Sequence, residues 1–318
     1  MYGVPGPAST PRIVAVVVTF NRRPLVERLI ERLRHIAGLS EIVVVDNAST
    51  DGTAEWVSTT STAEETSSTS AVPVRLVALE TNTGGAGGFN AGMQAALEHD
   101  ADLVWLMDDD GVPEPDCLAI LLPLIERGYE FVGPVVVTEG QEDELVFPIR
   151  IPGTARVLHR TDDVGDAATD GLLDKVVIPF NGVLLTRGLI ERIGLVDAKY
   201  FIWGDDVEYL WRAERDGARI ATAVDARFVH PSVGDLGTPM AFGQTYNHSP
   251  SELKAYCMGR NNVVNLRTYR GNLHALAFVA KTIWFYVVTR RDLRRLRLSL
   301  VAMTDGWRGR WGRHVRYL

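Results

Sequence analysis

Three consecutive carboxylates, Asp108, Asp109 and Asp110, end an apolar run that begins at Leu103 and precede Gly111 and Pro113. An apolar run stopping at acids and a glycine predicts a buried strand whose C-terminal end opens into a loop. Like charges near a core are tolerated when a cation neutralises them, and oxygen donors suit a hard divalent ion such as Mg²⁺ or Mn²⁺. A solvated acidic turn would carry the same three letters. A second pair, Asp205 and Asp206, follows an aromatic run at 200–203 and Gly204. One of these carboxylates could serve as general base toward an attacking hydroxyl, or both could simply complement the dipole of a helix starting there. His230 lies between an apolar run and Pro231. Beside two carboxylates an imidazole would complete a Mn²⁺ site, although a lone histidine is more often structural.

Bringing these groups together requires an edge where several strands end. Residues 13–20, IVAVVVTF, are the β-branched run expected of a strand buried on both faces, and they lead into Thr19, Asn21 and Arg22. Pro24 then opens a helix through about His35. Residues 41–46, EIVVVD, predict a second strand ending in Asp46, which suits a ribose hydroxyl or base N–H but is also an ordinary turn former. A third strand is expected at 75–79. Residues 82–92, NTGGAGGFNAG, predict a glycine-rich loop, containing Asn90, that allows close backbone approach and runs into an Ala-rich helix. Strands alternating with helices over short links predict right-handed crossovers and a parallel, doubly wound sheet. Ligands of such sheets sit outside the carboxyl ends of the strands. A nucleotide diphosphate bridged by a metal on Asp108 and Asp110 would explain the four strand-end features together.

Further along, a helix follows Pro115, and strands are expected around 131–137, 178–185, 219–224 and 228–229. Thr186 caps a short helix, and residues 139–175 show no assignable period. Between 58 and 70, ten of thirteen residues are Ser or Thr, which predicts a surface loop.

At 318 residues, with 46% hydrophobic and 23% charged, the chain has material for a full core, divided here into a 1–235 domain and a 236–318 helical region. Two cysteines exclude a disulfide framework or zinc site and fit a reducing cytosol. No apolar run is long enough to span a bilayer, and the first residues lack a signal-peptide core. The net charge of −7 hides an asymmetry: residues 289–318 hold nine arginines against two aspartates, on an otherwise acidic chain. A Ser251-capped helix carries Lys254 and Arg260. An aromatic, apolar stretch at 274–288 follows, and then a basic amphipathic helix. Together with Trp307 and Trp311 this pattern suggests attachment to an anionic lipid surface; helices packed on the body with solvated arginines would read similarly. We expect no nucleic-acid partner. A nucleotidyltransferase would normally carry a glycine-lysine loop after the first strand, where this chain has TFNRRP.

The ordered set VVVTFNR, VVVDNASTDGT, NTGGAGGFNAG, WLMDDDG, FNGVLL, FIWGDDVEYLWR and FVHPS resembles the family 2 inverting glycosyltransferases of GT-A fold, over roughly residues 12–235. The DDD and WGDD forms and the arginine-rich tail most resemble actinobacterial galactofuranosyltransferases that initiate the galactan of arabinogalactan. The resemblance implies a doubly wound, mostly parallel, Rossmann-like α/β fold. It implies a UDP-galactofuranose donor, a polyprenyl-diphosphate-linked rhamnosyl-N-acetylglucosamine acceptor, and a site on the cytoplasmic face of the plasma membrane. Asp108, Asp110 and His230 would hold Mn²⁺ or Mg²⁺. Thr19, Arg22 and Asp46 would bind uridine, Asn90 would help hold the donor, and Asp109 would lie near the ribose or sugar. Asp206 would be the base, with Trp203, Asp205 and Glu208 lining the sugar and acceptor pocket. Arg212 and Arg260 would meet a diphosphate. Asp205 stands where the wider family commonly has Glu, a change expected to alter acceptor positioning rather than chemistry. A rhamnosyltransferase using dTDP-rhamnose is the nearest alternative.

Overall fold

The computed structural model describes residues 10–65, 72–234, 237–241 and 244–318. Its first half is laid down as β1 (Ile13–Thr19), α1 (Arg23–Arg34), β2 (Glu41–Asp46), α2 (Thr53–Glu65), β3 (Val74–Ala78), α3 (Gly84–Glu98) and β4 (Leu103–Asp108). The four strands lie side by side in the order β3-β2-β1-β4, all parallel. β1 is buried along its whole length because successive side chains face two different cores. Ala15 and Val17 pack with α1 residues Val26, Leu29 and Ile30, whereas Val14, Val16 and Val18 pack with Phe89 and Met93 of α3. The register sets Thr19 opposite Asp46 and Val18 opposite Asp108, so three chemistry-bearing strand ends lie abreast.

The second half adds β5 (Val112–Pro113), α4 (Cys117–Glu126), β6 (Phe131–Thr138), β7 (Gln141–Arg150), β8 (Val157–Arg160), α5 (Thr161–Ala167), β9 (Leu172–Asp174), β10 (Asn181–Thr186), α6 (Arg187–Ile193), α7 (Asp205–Asp216) and β11 (Ile220–His230). The sheet continues from β4 as β10-β6-β11-β5, with β10 and β5 antiparallel to their neighbours. The doubly wound reading therefore holds as a mostly parallel sheet.

Four local expectations are corrected. Residues 139–175 are ordered: β7 and β8 pair, and Leu145, Ile149, Leu158, Val164 and Leu173 build a satellite core on Val135 and Val137. A register shift between Glu144 and Ile149 breaks the period-two pattern, which hides the hairpin in the sequence. The run 219–229 is one strand, with an irregularity between Ala223 and Arg227 splitting its apolar pattern. Ser/Thr residues 58–65 belong to α2 rather than a loop, since Val57 and Trp56 anchor that helix to the core; the remainder of the run lies outside the described residues. The glycines at 84–92 form the first turns of α3 instead of a loop. A Cβ at Gly88 would come within 2.4 Å of Val18, and one at Gly92 within 2.3 Å of Val16. These glycines let the helix lie directly on the sheet.

The C-terminal region consists of α8 (Glu252–Asn265), α9 (Asn272–Trp284) and α10 (Leu293–Trp307), with α8 and α9 each ending in a π-helical turn. Ser251 caps α8 by accepting from the Lys254 amide, and Asp292 caps α10 by accepting from that of Arg295. α10 lies close against α8 because Gly306 carries no side chain: a Cβ there would stand 2.4 Å from the Arg260 carbonyl. Among the described residues no helix is long and apolar enough to cross a membrane.

Candidate active site

The tip of β4 delivers the triple aspartate to the centre of the strand-end edge. Asp109 points inward and is 4% exposed, accepting from Thr19 Oγ1 at 2.7 Å and from the Arg22 guanidinium at 3.1 Å. Arg22 also reaches Asp110 at 2.7 Å, and Asp110 meets His230 Nε2, from the end of β11, at 3.1 Å. Burial raises the Asp109 carboxyl above its ordinary pKa despite the Thr19 bond and the Arg22 charge. Asp110 is held below its ordinary value: burial opposes this, but His230 and Arg22 outweigh it. Asp108 is pushed well up, first by burial and then by the charges of Asp110, Asp109 and Asp205. Through that last contribution a residue 97 positions away in sequence acts on the Asp108 carboxyl.

Asp205 and Asp206 open α7 after a loop of unusual backbone. Phe201, Trp203 and Gly204 all have positive φ, at 68°, 73° and 86°. Such angles cost non-glycine residues on the order of 1–3 kcal/mol each and persist only where the surroundings impose them. Here the imposition comes from α8 and α3. Asn261 Nδ2 donates to the carbonyls of Tyr200, Ile202 and Trp203, and Asn265 Nδ2 donates to that of Gly204. The Phe201 carbonyl accepts from the Ala86 amide, which seats the loop on the first turn of α3. Asn47, at the end of β2, donates to the Gly84 carbonyl and so ties that turn to the strand-end edge. Burial raises the carboxyls of both Asp205 and Asp206, Asp205 further through its neighbour's charge. Asp205 is buried and Asp206 half-buried, which leaves Asp206 the accessible member.

The remaining expected residues are placed as follows. Asp46 is buried and accepts from the Ser49 amide at 3.3 Å. Trp203 is 37% exposed at the loop. Asn90 sits within α3, donating to the Val196 carbonyl at 2.6 Å. Glu208 is buried, accepting from Arg212 and from Tyr269 Oη, while Arg212 also donates to the carbonyls of Ile193 and Leu195. Arg260 is fully buried, with its guanidinium 2.6 Å from the Tyr200 carbonyl and 4.6 Å from the Trp311 ring. Of these three, Arg260 holds the loop at the Tyr200 carbonyl, while Glu208 and Arg212 tie α7 to Tyr269 and to the chain between α6 and the loop.

Residue reasoning missed Asn261, Asn265 and Asn47. Asparagine competes poorly in a helix interior, so two at i, i+4 on α8 were a legible sign of a buried polar task. It also missed Asn181, at the start of β10. Its Oδ1 is buried without a hydrogen-bond partner, and the preceding Phe180 carbonyl accepts from the Asp108 amide. A buried acceptor without a donor is costly unless a ligand supplies one.

Among the described residues no three His, Cys, Asp or Glu side chains form a ready metal cage. Of Asp108, Asp110 and His230, Asp110 and His230 meet directly, and Asp110 also pairs with Arg22. The donor set nonetheless fits a divalent cation. His230 Nδ1 stands 2.7 Å from the Pro231 carbonyl, which can only accept, so that nitrogen carries the proton. In the neutral ring Nε2 is then a lone pair facing Asp110 Oδ1, and two acceptors at 3.1 Å need a proton or a metal between them. Asp110 favours the protonated ring, raising the His230 pKa against the effect of burial.

The mostly parallel sheet, with acids at the carboxyl ends of its strands, is a GT-A fold. The chain belongs to glycosyl transferase family 2, whose model matches residues 14–175. It is 31% identical, over 90% of its length and 92% of the relative's, to galactofuranosyltransferase GlfT1 of Mycobacterium tuberculosis. It is 30% identical to GlfT1 of Mycolicibacterium smegmatis over 90% of this chain and 93% of that one. The fold matches mannosyltransferase PcManGT from Pyrobaculum calidifontis in complex with GDP-Man and Mn²⁺ (TM-score 0.54, 19% identity, 97% of this chain and 79% of that one). It also matches S. aureus TarS 1-349 in complex with UDP-GlcNAc (TM-score 0.58, 14% identity, 93% and 81%). The protein is a glycosyltransferase.

Proposed function

We propose that this enzyme transfers galactofuranose from UDP-galactofuranose to a polyprenyl-diphosphate-linked rhamnosyl-N-acetylglucosamine, with inversion, in the initiation of cell-wall galactan. What supports the reading is that Asp205, which opens α7, acts through its charge on Asp108 at the tip of β4. Similarity to galactofuranosyltransferases along nine-tenths of the chain supports the donor. In the mechanism, Asp206 accepts the proton of the acceptor hydroxyl as that oxygen attacks the anomeric carbon and the C–O bond to UDP breaks. Burial raises the basicity of Asp206 toward the working range of a general base. Asp108, Asp110 and His230 would hold the divalent ion, Mn²⁺ or Mg²⁺, whose chemistry when bound is to neutralise charge on the departing diphosphate. Arg22 and Thr19 fix Asp109 and keep the edge rigid, and Asn181 Oδ1 is free to accept a sugar hydroxyl.

Residues 1–235 act as the catalytic part and 236–318 as the acceptor-side, membrane-facing part. Leu273, Leu276, Ile283, Trp284 and Val287 are exposed along α9, and Arg290 and Arg291 follow at its end. An apolar face bordered by arginines suits the cytoplasmic leaflet of an anionic membrane. The test is product mass after incubation with UDP-galactofuranose and a synthetic lipid-linked rhamnosyl disaccharide, with dTDP-rhamnose in parallel. Addition of one hexose from the UDP donor is expected; turnover with dTDP-rhamnose alone would assign the enzyme to rhamnose transfer.

A further inference from the structure

The C-terminal region carries a concavity that the proton-transfer chemistry does not use. A groove of about 450 Å³ runs beside α10, floored by Leu296, Leu300 and Val301 and rimmed by Arg297, Arg308 and Arg310. Its volume falls among ligand-sized clefts, roughly 300–1,000 Å³. All three rim arginines are exposed, and no described residue forms an ion pair with any of them. The one acid in the groove, Asp305, is already occupied by Arg313 at 2.7 Å and Tyr256 Oη at 2.8 Å. The groove thus joins an apolar floor to uncompensated positive charge.

Each half of that combination excludes a class of ligand. A water-soluble anion would gain nothing from the leucine floor, and a neutral hydrocarbon would leave the arginines without partners. Guanidinium forks match phosphate oxygens in pairs. Three unpaired arginines around one site exceed what a phosphodiester with a single negative charge can use, whereas a diphosphate joining a lipid chain to a sugar carries two charges on adjacent phosphates. The position of the groove is equally informative. Arg310 and Arg313 flank Trp311, which packs 5.3 Å from the Tyr200 ring, and the His314 ring lies 4.5 Å from that of Phe201. One wall of the groove is therefore the same segment that braces the loop leading to Asp206. Leu293, also lining the groove, is more than half exposed and offers an apolar border toward lipid.

We propose that this groove binds the diphosphate head and first prenyl units of a membrane-resident acceptor; the assignment rests on the sugar-transfer reading above. The head group is held by Arg297, Arg308 and Arg310, the adjoining isoprenoid lies on Leu296, Leu300 and Val301, and the attached sugar is held next to the wall that supports the base.

The test floats the full-length protein with neutral phosphatidylcholine vesicles doped either with a long-chain prenyl diphosphate or with phosphatidylglycerol at matched surface charge. Capture by the prenyl diphosphate vesicles is expected to be about ten-fold stronger, and Arg308→Gln with Arg310→Gln, both on the surface, removes that preference. Equal capture by the two vesicle types, or a preference that survives the double substitution, overturns the groove assignment in favour of a diffuse charged surface. Transfer by the wild-type enzyme to a lipid-free acceptor glycoside scores the parent reading separately. If that transfer persists while the vesicle preference is absent, only the groove falls; if it too is absent, the sugar-transfer reading falls with it.

Discussion

At the scale of single residues, the site is a problem in uncompensated charge. Asp108 feels the charges of Asp110, Asp109 and Asp205, with Arg22 and His230 as the described cations beside Asp109 and Asp110. Replacing Asp110 with Ala removes the carboxylate that His230 faces, so we expect Mn²⁺ to cease strengthening UDP binding; calorimetry with and without Mn²⁺ measures this, and undiminished metal dependence would reject the ligand role. Asp206 gives a pH expectation. Its carboxyl is raised above the ordinary 3.8 by burial and must be deprotonated to act as base. Activity should therefore fall as pH falls through an apparent pKa higher than that of an exposed carboxylate, and the limb belongs to the Asp205–Asp206 pair rather than to one group. A kcat/KM profile whose acid limb lies at or below pH 4 would contradict the assignment.

At the scale of elements, the acid loop owes its shape to a helix nearly sixty residues away. Asn261 and Asn265 donate their amide protons to four of that loop's carbonyls, those of Tyr200, Ile202, Trp203 and Gly204. Asn265→Ala leaves the Gly204 carbonyl without its donor, worth about 1–3 kcal/mol. We expect kcat to drop about ten-fold or more with the UDP dissociation constant unchanged, since displacement of a base by an ångström can cost a hundred-fold. A stability loss without any kcat change would make Asn265 purely structural. The same scale shows what was legible in the sequence. β1 to β4 were readable because continuous β-branched runs have few alternatives, and their strand-end acids followed from the parallel register. The glycines of 84–92 were misread as a loop because close helix-to-sheet packing and chain reversal leave the same letters. The hairpin at 141–160 was unreadable because a register shift destroys its alternation. The bracing role of Arg260 depends on contacts between distant segments, which neither spacing nor composition encodes.

At the scale of the whole molecule, the parallel sheet is pinned at the end opposite the site by one buried acid. Glu41, at the start of β2, meets Arg12 at 2.6 Å, Arg75 at 2.9 Å and His99 at 3.3 Å. Burial alone would raise its pKa, but the Arg75 hydrogen bond and the charges of His99, Arg75 and Arg12 outweigh it and hold the carboxyl below 4.5. A depressed pKa means the stabilisation is present above pH 4.5 and is lost as pH falls through the lower folded value. Glu41→Gln should lower stability by about 2 kcal/mol at neutral pH and by progressively less in acid; a thermal-denaturation gap that does not narrow with acidification would refute this. The basic C-terminal region is integral to the body, since Ala302 and Met303 of α10 are buried. Surface substitutions on α9 and at the arginine rim therefore probe lipid contact more cleanly than deletion of residues 290–318.

The most direct measurement pairs UDP affinity with sugar transfer in Asp206→Asn, a change that keeps shape and removes basicity. If the two acid groups divide the work as described, the variant binds UDP with wild-type affinity while transfer falls by roughly 10²–10⁴-fold or more. Transfer at near wild-type rate would mean that the proton leaves by another route and that the acid pair opening α7 is not the catalytic half of this cleft.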